Sequence, residues 1–142
     1  MSVTSRPDVP RHLSTFLAFD YGAKRTGVAV GNRMMRTATP QATIRAEGKA
    51  RLEAAAQRVS EWQPDALVIG VPFHPDGAPH DNTDRARRFA RQLHGRFGLV
   101  VHEVDERYTT TEAASDAARD LDAASAAIIL NQFLNQFPST AT

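Results

Sequence analysis

Phe16-Leu17-Ala18-Phe19-Asp20-Tyr21-Gly22, followed at once by Ala23-Lys24-Arg25-Thr26-Gly27-Val28-Ala29-Val30-Gly31, is the stretch from which the rest of the chain is read. Two apolar runs flank a tight, glycine-bounded turn, which is the pattern of a β-hairpin. The first run stays apolar until its end, where it presents one carboxylate, Asp20. Burying an unpaired carboxylate is costly, so Asp20 needs a partner. A bound cation would serve, and so would the turn's own backbone, which Asp caps readily. The stretch alone leaves both open.

Downstream, Met34 to Ile44 has the length of a third strand, and Pro40 within it fits an edge strand or a strand start. Leu52, Ala55, Ala56, Val59 and Trp62 recur at helical spacing, predicting a helix over Ala50 to Trp62 that Gln63-Pro64-Asp65 ends. Ala66-Leu67-Val68-Ile69-Gly70-Val71 is a short continuous apolar run, the mark of a strand buried on both faces. Asn82 or Thr83 can cap a second helix whose stripe is Ala86, Phe89, Ala90, Leu93 and Phe97, with Gly95 and Gly98 marking its end. Leu99 to Glu106 reads as a further strand. Thr109-Thr110-Thr111-Glu112 resembles a capping box for a helix from about Thr111 to Arg119. A last, nearly apolar helix spans Ala123 to Phe137. The order β-β-β-α-β-α-β-α-α predicts an α/β domain, a mixed five-stranded sheet with helices on both faces.

The chain has 142 residues, which suits one domain, and its 42% apolar content supports a core. Residues 1–14 are polar with two prolines and no apolar segment of signal-peptide type, and are read as a disordered lead. Residues 15–137 form the domain and 138–142 a tail. No run approaches the ~20 apolar residues of a membrane span, so a cytoplasmic protein is expected. Lys+Arg 17 against Asp+Glu 16 gives a net charge of +1, so only local charge can point to nucleic acid. With no cysteine, disulfides, thiolate metal sites and a Cys nucleophile are excluded.

Three carboxylates share a feature. Asp20 ends the first strand, Glu106 ends the last strand with Asp105 beside it, and Asp122 stands at the start of the last helix. Ligand sites in open α/β sheets gather outside strand ends. If the two strands are near neighbours, Asp20 and Glu106 share an edge, and packing of the last helix brings Asp122 to them. Converging carboxylates repel unless protonated or holding metal, and carboxylate oxygens favour Mg²⁺ or Mn²⁺. One or two such ions suit in-line displacement at phosphorus. Plainer roles exist: Asp122 as a helix N-cap, and Asp105-Glu106-Arg107 as a solvated strand end.

Cations supply a second signal. Lys24 and Arg25 lie in the turn after Asp20, Arg107 follows Glu106, and Arg85, Arg87, Arg88 and Arg91 crowd the second helix. Arg offers a bidentate fork to phosphate, although a charged stripe is commonly just a solvated face. Lys24, Arg25, Arg85, Arg88 and Arg107 are therefore the candidate substrate contacts. His74 and His80 lie in a Gly/Pro-rich loop and are left out of the metal site.

Several blocks also resemble one family. Phe19-Asp20-Tyr21-Gly22 with Lys24-Arg25, Gly27-Val28-Ala29, Val68-Ile69-Gly70-Val71-Pro72, Asp76-Gly77 and Gly95-Arg96-Phe97-Gly98 are similar to the YqgF (RuvX-like) family of bacterial nucleases. So are Arg85-Ala86-Arg87-Arg88-Phe89-Ala90, Asp105-Glu106-Arg107 with Thr109-Thr110 and Glu112-Ala113, and Asp122 followed by Ser125-Ala126-Ala127-Ile128-Ile129-Leu130. The resemblance runs in order from about Phe16 to Phe137. It implies an RNase H-like fold, similar to Holliday-junction resolvases, and a metal-dependent nuclease using Mg²⁺ or Mn²⁺. The implied role is maturation of the 5′ end of precursor 16S ribosomal RNA, on ribosomal particles or free RNA, by a monomer or weak homodimer. The implied metal ligands are Asp20, Glu106 and Asp122. One departure stands out: Asp122 follows Glu106 by only 16 positions, and the longer Gly- and Lys-containing loop usual in the family is missing. Competing readings are a resolvase of branched DNA, which needs a stable dimer, and a non-catalytic nucleic-acid-binding module. A sugar-kinase or ATPase-like relative would need a second half that this length does not supply.

Overall fold

The computed structural model describes residues 3–4, 15–73, 76–78, 81–105 and 121–136, with the side chains of 3, 4, 121 and 122 excepted. The elements are β1 (Val3–Thr4), β2 (Thr15–Tyr21), β3 (Thr26–Asn32), β4 (Thr37–Ile44), α1 (Gly48–Trp62), β5 (Ala66–Val71), α2 (Thr83–Phe97), β6 (Val101–Asp105) and α3 (Leu121–Leu134). The sheet order is β1-β6-β5-β2-β3-β4. β2, β5 and β6 run parallel, and β3 and β4 add antiparallel strands on one side. The mixed sheet expected from the sequence is present. It gains a sixth, two-residue strand, because Val3–Thr4, within the stretch read as a disordered lead, pairs in parallel with Val101 and His102.

Strand alternation divides the buried side chains into two cores. Phe16, Ala18, Ala29, Ala66 and Val68 face one way and are covered by Ala126, Ile129, Leu130, Phe133 and Leu134 of α3. Leu17, Phe19, Val28, Leu67 and Ile69 face the other way, toward Ala55 of α1 and Ala86, Phe89, Ala90 and Leu93 of α2. β5 contributes to both and is buried along its whole length, as its continuous apolar run requires.

Several boundaries moved, each for a local reason. β4 begins at Thr37 and not at Met34, because residues 33–36 form the hairpin turn. There Asn32 Oδ1 accepts the N–H groups of Met34 and Met35 at 2.8 and 3.2 Å. Asn32 O takes the N–H of Arg36, whose φ is 55°. β4 is an edge strand, which tolerates Pro40. α1 ends at Gln63 in the left-handed region, with its N–H returned to Val59 O. Asn82 occupies the N-cap of α2 without a side-chain cap bond; the buried Thr83 hydroxyl donates to Pro72 O instead. Leu121 is already helical in α3, so Asp122 lies within the helix and not at an N-cap. The helix expected over Thr111 to Arg119 lies outside the described residues.

Candidate functional site

Parallel pairing fixes which residues meet at the carboxyl edge of the sheet. Asp20 of β2 is in register with Gly70 of β5, and Gly70 with Val104 of β6. On its other side Asp20 pairs with Gly27 of β3. The row therefore reads Gly27, Asp20, Gly70, Val104, all on the face covered by α3. A glycine inside a strand commonly marks a place where a ligand or another backbone comes close. Here two of them clear the side-chain layer on both flanks of one half-buried carboxylate. Gly27 and Gly70 were legible as letters of the motifs, but their shared row depends on register across three strands.

β6 ends two strand spacings from β2, about 10 Å away, at the same edge. Asp105 pairs with Val71, so its alternation places it with Ile69 and Val71 on the α1/α2 face, opposite Asp20. Asp105 is exposed. Glu106 and Arg107 lie outside the described residues, as do His74 and His80.

The C-terminal half of α3 packs over the start of β2. Near its end, Phe133 packs edge-on against Phe16 at the start of β2, with ring centroids 5.2 Å apart. Leu130 and Leu134 press on Gly31, the strand neighbour of Phe16. From Phe133 back to Asp122 is about 16 Å of helix, and from Phe16 to Asp20 is about 13 Å of strand. Residue 122 thus belongs to the helix that covers the same face of the sheet as Asp20.

The turn after Asp20 is held closed by Gly22 N–H donating to Arg25 O at 2.8 Å. A Cβ on Gly22 would stand 2.7 Å from that oxygen. Lys24 and Arg25 are exposed there and line a hollow of about 460 Å³. From beneath, Arg51 of α1 donates from Nη2 to Ala23 O at 2.7 Å and from Nε to Ala46 O at 3.2 Å. Its guanidinium carbon lies 4.1 Å from the Tyr21 ring centroid. Arg51 is only 2% exposed. The sequence reading passed over it in favour of Leu52, although Arg51, Ala55 and Val59 also recur at helical spacing.

Arg85 and Arg88 are exposed on α2 and line a cleft of about 530 Å³ between α1 and α2. Both helices begin at the same sheet edge as Asp20, on the opposite face. Arg87 is turned away and pairs with Glu103 at 3.3 Å. Arg96 of α2 grips Glu53 of α1 through two bonds of 2.8 and 3.1 Å. That hydrogen bond and charge hold the Glu53 carboxyl below the usual range and the Arg96 guanidinium above its own. Among the described residues no three His, Asp or Glu side chains gather as a metal cluster; one of the two expected partners of Asp20 lies outside them, and the other has no described side chain.

Comparison with known proteins agrees with this layout. Residues 14–136 match the family model described as "RuvX: Holliday junction resolvase". A Polaromonas sp. (strain JS666) protein named "Putative pre-16S rRNA nuclease" is 64% identical over 138 residues, covering 97% of this chain and all of the relative. A Burkholderia pseudomallei (strain 668) protein of the same name is 51% identical over 132 residues, covering 88% of this chain and 90% of the relative. Among solved structures, Thermus thermophilus RuvC in complex with a Holliday junction substrate superposes with a TM-score of 0.52 at 13% identity, over 87% of this chain and 95% of that one. That likeness establishes the fold, which is RNase H-like. With its family model covering nearly the whole domain, its relatives matching end to end, and its sheet order and acidic strand end in place, the chain belongs to the RuvX family.

Proposed function

We propose that this protein is a metal-dependent nuclease that hydrolyses phosphodiester bonds in precursor 16S ribosomal RNA near its 5′ end. The observation that carries the reading is the Gly27-Asp20-Gly70 row. It sets one half-buried carboxylate between two glycines at the carboxyl edge of parallel strands, where α/β sheets bind ligands. The names of the relatives support the substrate.

Asp20, Glu106 and Asp122 are the residues that would hold Mg²⁺ or Mn²⁺. A half-buried carboxylate at a strand end suits a hard cation that takes oxygen ligands. When bound, the cation supplies charge neutralisation at the scissile phosphate and a water nucleophile at neutral pH. The chain's own part is positional. β2 fixes Asp20 at a strand end, and Asp122 belongs to the helix that covers the same face of the sheet. Lys24, Arg25 and Arg107 offer phosphate contacts. The face assignment favours Glu106 over Asp105 as the acidic partner, because Asp105 alternates to the far side of the sheet.

The test is cleavage of a labelled precursor 16S 5′ fragment and a four-way DNA junction with Mg²⁺ or Mn²⁺. Asp20→Asn, Glu106→Gln and Asp105→Asn are run beside the unaltered chain. Cutting of the RNA that is lost in Asp20→Asn and Glu106→Gln and kept in Asp105→Asn is expected. Cutting that survives Asp20→Asn refutes the site; cutting of the junction alone replaces the substrate.

A further inference from the structure

Arg51 presents a problem that the edge site does not solve. It is 2% exposed, yet among the described residues no carboxylate pairs with it; its partners are two backbone carbonyls and the Tyr21 ring. A buried charge without a counter-charge is unfavourable unless something supplies one. Arg51 also contributes to the wall of the cleft between α1 and α2, together with the exposed Lys49, Arg85 and Arg88. Among the described residues no acidic side chain lines that cleft. Arg85 and Arg88 carry no ion pair among the described residues, so their charges are free to meet a ligand. The first turn of α1 holds Lys49 and Arg51 and no acid, with Glu47 at the N-cap making no side-chain cap bond.

We infer that the α1/α2 cleft is a second phosphate-binding site, taking the backbone of a nucleic-acid strand that passes over the sheet edge from Asp20. Tyr21 lines the cleft and follows Asp20 in β2, with its side chain on the opposite face. A strand crossing that edge therefore reaches both. Three exposed cations, Lys49, Arg85 and Arg88, around about 530 Å³ of open space suit phosphodiester oxygens, and Arg85 and Arg88, one helical turn apart, suit successive phosphates. The identity of the polymer rests on the nuclease reading; the phosphate chemistry does not. The site also offers grip near the edge in a chain whose loop before Asp122 is short.

The test is fluorescence anisotropy with a short labelled single-stranded RNA in EDTA, so that cleavage plays no part. Arg85→Ala/Arg88→Ala is compared with Arg58→Ala/Arg91→Ala, which removes equal charge outside the cleft. Calorimetric titration with inorganic phosphate forms a second arm. All four positions lie on the surfaces of helices, and a melting curve checks that each variant folds. Removing two single-strand phosphate contacts lowers the salt slope by about 1.4 and weakens binding about 25-fold at ~0.1 M salt. That loss in the cleft variant alone is expected. Unchanged RNA affinity with lost phosphate binding would assign the cleft to a small phosphate ligand. Equal loss in both variants, loss in neither arm, or no binding of either probe by the unaltered chain overturns the inference. Failure of the unaltered chain to cleave any substrate would count against the nuclease reading and leave the binding result standing.

Discussion

Gly31→Ala offers a sharp test of how α3 is seated. Gly31 lies in β3 under the helix, and an added Cβ would meet Leu130 Cδ2 and Thr37 O at 2.8 Å each, and Leu134 Cδ1 at 3.1 Å. The backbone at Gly31 has no positive φ, so alanine is not strained there; space alone decides. Leu130 and Leu134 are fully buried and have nowhere to turn, and Thr37 O belongs to the neighbouring strand. Ordinary contact needs several tenths of an ångström more on two sides at once. Overpacking of this kind costs about 1–3 kcal/mol, and a backbone obstacle puts Gly31 toward the upper end. For a domain of this size, that is a fall in Tm of roughly 6–12 °C. Gly95→Ala is the matched control. Gly95 sits in the last turn of α2 with nothing within 4 Å of its added Cβ, so the same substitution should stabilise by about 0.5 kcal/mol. Thermal and urea melts of both variants decide the matter. Gly31→Ala melting at or above the unaltered chain would refute the account of helix seating.

Arg51→Met removes both carbonyl bonds and the stack on Tyr21, for a loss of about 1–3 kcal/mol; amide exchange at Gly22 should quicken while Val68 on β5 stays protected, and an unchanged Gly22 would contradict the tie. The Glu53–Arg96 clasp predicts a pH effect: because the Glu53 carboxyl is depressed in the fold, its contribution is present above the unfolded glutamate value and lost as pH falls through the folded one. Glu53→Gln should therefore melt below the unaltered chain at neutral pH and coincide with it in acid, by a small margin because the pair is exposed.

How much the sequence disclosed varies by element, for physical reasons. Ala66–Val71 was legible because a strand buried on both faces must be apolar throughout, and α2 because Ala86, Phe89, Ala90 and Leu93 keep strict helical spacing. Asp20 stood out as a charge at the end of an apolar run. What set it between two glycines, Gly27 and Gly70, depended on register, which a linear pattern does not encode. Arg51 was missed because a buried arginine looks like a surface one until its carbonyl partners are placed. Val3–Thr4 was missed because two residues carry no period. The last helix shows the same limit: Asp122 resembled a cap, yet Leu121 before it is already helical.

The two-sided sheet also has a consequence for synthesis. The face closed by α1 and α2 has all its parts once β6 has been made. Phe16, Ala18, Ala29 and Val68 on the other face wait for α3, about 30 residues later, or roughly 2–6 s at bacterial elongation rates. Throughout that interval a nascent chain presents a greasy half-sheet to its surroundings, so the last helix made is also the one that ends its exposure to aggregation.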